Sequence, residues 1–131
     1  MIKKIATTVI CLVVLGFAYF GWRIYSYRTA NFSKYDTGQL IVAIEEGNYS
    51  KIEVLINKGV SVNTQRWDGD LTTPLMTACR MNDERSVEIL LRAGADPMLR
   101  DHDGYDAFMW AKQVGNERIV EMLKKKQKGG L

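Results

Sequence analysis

Three stretches of this chain repeat one another, and that periodicity limits the folds open to it more than any other feature. Laid in register, they read LIVAIEEGNYSKIEVLINKGVSVN from Leu40, DGDLTTPLMTACRMNDERSVEILLRAGADPMLRD from Asp68, and DGYDAFMWAKQVGNERIVEMLKKK from Asp103. Ala43, Ala78 and Ala111 coincide, Gly59 matches Gly94, and the apolar pairs Ile52/Leu55, Val87/Leu90 and Val120/Leu123 fall on one another. A unit of this length cannot bury its own apolar stripe. It gains a core by stacking on its neighbours, and three units are about the fewest that suffice.

Each unit has the local signals of two short helices. Thr73 is a helix N-cap followed by Pro74 at the first helical position, where the missing N–H costs nothing. Asp106 can cap the matching helix of the third unit, and Asp36 with Gln39 has the spacing of a capping box in the first. Apolar residues at helical spacing give each second helix one buried stripe, and Gly59 and Gly94 can take the left-handed conformation that ends it. The alanines let paired helices approach closely.

These segments resemble the ankyrin repeat, whose pattern is a glycine turn, T-P-L-H-x-A, a loop glycine, a second helix with paired leucines, and G-A-D. Thr73-Pro74-Leu75 and Gly94-Ala95-Asp96 carry the resemblance most strongly, and it covers residues 37 to 126. It implies an all-α fold, an ankyrin-repeat solenoid of three helix-turn-helix repeats at about 37–64, 65–99 and 100–126. Several departures stand out. The pattern's histidine is replaced by Ile41, Met76 and Met109, which removes a common inter-repeat hydrogen bond. Ala43 to Ala78 spans 35 residues where Ala78 to Ala111 spans 33, so one hairpin finger is longer. Asn82 stands for the loop glycine, a position asparagine tolerates. Lys124 replaces the leucine that Leu91 supplies one repeat earlier, and a charge there opposes burial by a fourth repeat, so the array is expected to end at Lys126.

Ahead of the repeats, Ile5 to Trp22 runs 18 residues without a charge, with Lys3 and Lys4 before it and Arg23 and Arg28 after it. As a helix it would cover roughly 27 Å, close to the hydrocarbon thickness of a bilayer. Tyr19, Trp22, Tyr25 and Tyr27 gather where amphipathic rings favour the headgroups. The expectation is an N-terminal transmembrane helix within a 1–28 anchor, a 29–36 linker, the repeats, and a basic flexible tail at 127–131. A cleaved signal peptide, using Gly16 and Ala18, is the rival reading. Ile10 before Cys11 speaks against a lipoprotein. The flanking charges do not fix orientation, but the two-lysine start looks like a retained bacterial export signal, placing the repeats in the periplasm with the anchor in the inner membrane.

Catalytic chemistry finds little purchase. His102 is the one histidine, no Cys, His and carboxylate spacing suits a metal, and no glycine loop is shaped for phosphate. No cofactor, metal or small-molecule substrate is expected, and the chain is read as a non-enzyme. Asp101-His102-Asp103 falls at a hairpin tip, where Asp is a common turn former. Cys11 and Cys79 are placed too differently to pair. The net charge of +3 owes much to Lys124, Lys125, Lys126 and Lys128, which suit a solvated last helical turn. There is no basic stripe interleaved with aromatics, so nucleic acid is not an implied partner.

The resemblance implies a cupped recognition surface made of hairpin tips and the exposed side of the first helices. Carried over position by position, it selects Gln65, Arg66, Trp67, Asp68 and Asp70 in the longer finger, and Arg100, His102 and Tyr105 in the second. Helix ends contribute Glu45, Glu46, Arg80, Met81, Gln113 and Val114. Trp67, Tyr105 and the arginines are the types that dominate binding energy when buried. Trp67 could instead fold back on its own loop, and Trp110 is expected to pack within the last repeat. Small ankyrin proteins with bacterial export signals resemble immunity proteins that neutralise secreted antibacterial effectors, phospholipases among them. The expectation is therefore a membrane-tethered stoichiometric inhibitor whose partner is a toxin or lipase. An envelope scaffold is the alternative.

Overall fold

A computed structural model of the chain describes residues 37–66 and 69–129. The apolar run 5–22, the linker 29–36, the Asp36 cap, Trp67, Asp68 and the last two residues of the tail lie outside them. Within the described residues no helix is long and apolar enough to cross a membrane. Those residues form six helices and no strand: α1 (37–45), α2 (Tyr49–Asn57), α3 (Pro74–Arg80), α4 (Glu84–Arg92), α5 (Ala107–Val114) and α6 (Glu117–Gln127).

The caps explain where the helices begin. Thr73 Oγ1 accepts from Met76 N–H at 3.2 Å with Pro74 next in line, and Asp106 accepts from Met109 N–H at 2.9 Å. The second helices start at Asn48, Asp83 and Asn116, equivalent residues whose side chains accept from the backbone three residues on. Each satisfies one orphaned N–H of its first turn. Between the helices of the middle repeat Asn82 is left-handed, with φ 59, as its place in the pattern required. Gly59 and Gly94 close α2 and α4 at φ 88 and 91. The last helix runs one residue past the boundary expected at 126, so Gln127 belongs to it, and the Gly129 N–H then bonds Lys126 C=O.

One apolar cluster runs through all three pairs, from Leu40, Ile44 and Ile52 through Leu75, Val87, Leu90 and Leu91 to Ile119 and Leu123. Ala43, Ala78 and Ala111 are fully buried in it, which is why larger side chains are missing at that position. Leu91 is fully buried while Lys124, its equivalent one repeat later, is exposed. Polar clasps fix the spacing between repeats. Asn63 accepts from Asp96 N–H at 2.8 Å and donates to Gly94 C=O at 3.2 Å. Arg85 lies 4.5 Å over the Tyr49 ring, and Arg118 reaches Glu84 at 3.3 Å, so each later second helix reaches back to the one before. Met76, at the histidine position, is buried, and its sulfur accepts from Thr73 N–H at 3.5 Å within its own repeat.

Cys79 sits in this core with no exposure, and burial pushes its thiol up to about 12 from 9.0. A thiolate reagent should leave it untouched in the native state of a Cys11→Ser chain and label it only on unfolding, as a timed thiol assay would reveal. Because the folded pKa is the raised one, the neutral thiol's contribution is intact below about 9. It is lost as pH rises towards about 12, at about 1.4 kcal/mol per pH unit.

Candidate protein-binding surface

The two fingers are hairpin loops set at the entrances of α3 and α5. Arg66 N–H bonds Thr72 C=O at 3.0 Å to close the first, and Asp101 N–H bonds Tyr105 C=O at 2.9 Å to close the second. The first encloses 67–71 and the second only 102–104, so the two inserted residues are spent on lengthening that loop. Leu71 closes the longer loop with φ 52, a conformation that is costly for a bulky side chain, and its side chain is exposed.

Asp101 organises the second finger, a role its sequence position as a turn former did not disclose. Its side chain is almost wholly buried. One carboxylate oxygen accepts from the N–H of Asp103 at 3.1 Å and of Tyr105 at 2.8 Å, and the other accepts from Trp110 Nε1 at 2.9 Å. Trp110 is thereby held within the last repeat, with its ring centroid 5.2 Å from that of Tyr105. The Tyr105 ring thus packs against the indole while 40% of the residue stays open to solvent. An aromatic held in place this way loses little conformational freedom on binding.

Adjacent fingers are also tied to each other. His102 N–H bonds Asp70 C=O at 3.1 Å, and Gln65 Nε2 donates to Arg100 C=O at 2.6 Å. Gln65 is therefore half-buried and latches one finger to the other, because its amide reaches a carbonyl that only stacking brings near. Arg66 is likewise half-buried and engaged in an interaction of its own. The remaining described positions stand exposed where the pattern placed them: Glu45 and Glu46 at the end of α1, Arg80 and Met81 at the end of α3, Gln113 and Val114 at the end of α5, and Asp70, Arg100 and His102 in the fingers. His102 Nδ1 lies 3.7 Å from Asp103, with both side chains largely in solvent.

Apolar exposure is distributed unevenly. Met81 and Val114 occupy the same place in consecutive repeats, Leu71 and Tyr105 lie in consecutive fingers, and all four are between 39 and 44% exposed. Among the described residues the second helices offer only Val54 as a comparably open large apolar side chain. No group of three His, Cys, Asp or Glu side chains among those residues could hold a metal ion. This face combines partly exposed apolar side chains with charged ones on loops fixed by hydrogen bonds.

Residues 40–130 match the family described as ankyrin repeats, in three copies. The chain is 32% identical over 101 residues to the ankyrin repeat and KH domain-containing protein mask-1 of Caenorhabditis elegans, an alignment covering 77% of this chain and 4% of that protein. It is 37% identical over 84 residues to the 2-5A-dependent ribonuclease of Homo sapiens, covering 64% of this chain and 11% of the relative. It is 38% identical over 74 residues to neurogenic locus notch homolog protein 1 of Danio rerio, covering 55% and 3%. The similarity thus takes in only a small share of each relative's length. With its three matched copies and its stacked helix pairs sharing one core, the chain belongs to the ankyrin-repeat family, whose repeats are a module for protein–protein interaction.

Proposed function

We propose that this protein binds another protein without catalysing a reaction, using the surface formed by the fingers and the ends of the first helices. The observation that carries the reading is that Leu71, Met81, Tyr105 and Val114 are exposed on those elements, while among the described residues the second helices expose a single large apolar side chain, Val54, and pair Arg92 with Glu88 and Arg118 with Glu84. Apolar side chains grouped among polar ones on an ordered surface mark an interaction site. A photoreactive benzophenone residue placed at Tyr105 is expected to yield a covalent adduct with a partner in cells, and one at Val54 is not. Equal yields at the two positions would remove this surface from the account.

In the finer reading, residues 5–22 anchor the chain in the inner membrane, the repeats lie in the periplasm, and the bound protein is a secreted effector, such as a phospholipase, that is held inactive. Tethering serves such an inhibitor because an enzyme attacking lipid works at the membrane surface, where the anchored chain is effectively concentrated. Deletion of the gene should sensitise cells to the effector, and re-expression should restore resistance. A scaffold that positions an envelope enzyme is the second reading, and it predicts loss of that enzyme's membrane association without any sensitisation.

A further inference from the structure

Leu71 carries two penalties that the fold does not require. Counted back from the caps Thr73 and Asp106, it stands where Gly104 stands in the next repeat, and both residues take left-handed backbone, with φ 52 and φ 81. The turn into the first helix of each of these repeats therefore calls for a positive φ at this point. Glycine meets the requirement without strain, whereas the Cβ of a leucine crowds its own carbonyl. The chain on either side holds Leu71 in this conformation. Thr72 C=O accepts from Arg66 N–H at 3.0 Å, and Asp70 C=O accepts from His102 N–H of the next finger at 3.1 Å. The second penalty is exposure. A Cβ built on Gly104 would meet no atom within 4 Å, and the Leu71 side chain is 40% open to solvent, outside both the shared apolar cluster and the side chains packed against it. Packing thus gives no reason for an apolar side chain at a position whose backbone favours glycine. Strained residues that their surroundings hold in place gather where a protein grips a ligand.

We infer that Leu71 is an anchor, and that the bound protein presents an apolar recess into which this one side chain enters. This rests on the protein-binding reading above. A loop already fixed by hydrogen bonds on both sides of the anchor loses little freedom on binding. The recess belongs to a protein and not to a lipid surface, because Asp70, the exposed neighbour of Leu71, would have to leave water if the loop entered hydrocarbon.

Leu71→Gly and Leu71→Asn separate anchor from scaffold, because both residues adopt the left-handed conformation readily and neither fills an apolar recess. Urea unfolding of each full chain should give a midpoint equal to or above that of the parent. The protein recovered covalently at position 105, purified and titrated against each chain, should bind both variants about tenfold or more weakly. Leu71→Met, which keeps an apolar side chain of similar volume, should recover most of the binding. A benzophenone residue at Asp70 should capture the same protein as one at Tyr105. A lowered midpoint in both variants would make Leu71 a structural residue, unchanged binding would make it a bystander, and capture of lipid at position 70 would place the loop in a membrane. Each of these results overturns the inference while leaving the protein-binding reading in place, whereas no adduct at position 105 ends both.

Discussion

Leu91→Ala is expected to destabilise the repeats by about 2–5 kcal/mol, while Lys124→Ala, the same position one repeat later, should change stability by no more than about 0.5 kcal/mol. Leu91 is fully buried in the shared cluster, so truncation removes apolar contacts and leaves a void that helices packed on both sides cannot readily close. Lys124 is exposed and has no such neighbours to lose. Urea unfolding of the compact unit Lys34–Leu131, followed by circular dichroism, would measure both. A small stack has little stability to spare, and its repeats depend on one another's interfaces. The Leu91 variant should therefore lose helix from all three repeats together. A small loss, or one confined to a single repeat, would mean that the stack is not held by a common interior.

Asp101→Ala has the second largest expected effect, about 3 kcal/mol, and it should also abolish binding through the second finger. The substitution strips the acceptor from two loop N–H groups and from the Trp110 indole in one step. Hydrogen bonds to a charged group contribute about 1.5–3 kcal/mol each, and a buried donor left without a partner adds its own desolvation cost. Asn at this position should recover only part of the loss. Its carbonyl can serve the two backbone donors, but its amide would turn N–H groups towards the indole N–H. Urea titrations of the two variants, with Trp110 emission followed in a chain whose other tryptophans are Phe, would separate these contributions. Equal stability of Asp101→Asn and the parent chain would show that the indole bond carries no weight.

Much of this fold was legible before any coordinates, because its signals are local. Thr73-Pro74 states where a helix must start, Asn82 stands where a left-handed residue is needed, and the two-residue excess between Ala43 and Ala78 could only enlarge a loop. Lys124 at a leucine position signalled an exposed site for the same reason: charge and burial are incompatible at one site. The exposure of the helix ends was legible as well, since Arg80, Met81 and Val114 stand in solvent where the repeat pattern places them.

What stayed hidden depends on distance in space. Gln65 looks like any polar loop residue until stacking brings Arg100 C=O within reach of its amide. Asp101 could be read as a turn former, but its third partner is an indole nine residues on, whose position is set by the packing of α5. Asn48, Asp83 and Asn116 cap the second helices, yet short polar residues in a loop serve equally well as turn formers, so their sequence context alone did not single them out.

Hydrogen exchange on the full chain, alone and with the protein recovered at position 105, tests the central claim most directly. The account predicts slowed exchange in both fingers, 65–72 and 100–105, and at the ends of α3 and α5, with α2, α4 and the outer side of α6 unchanged. Protection concentrated on the second helices, with the fingers exchanging as before, would contradict it.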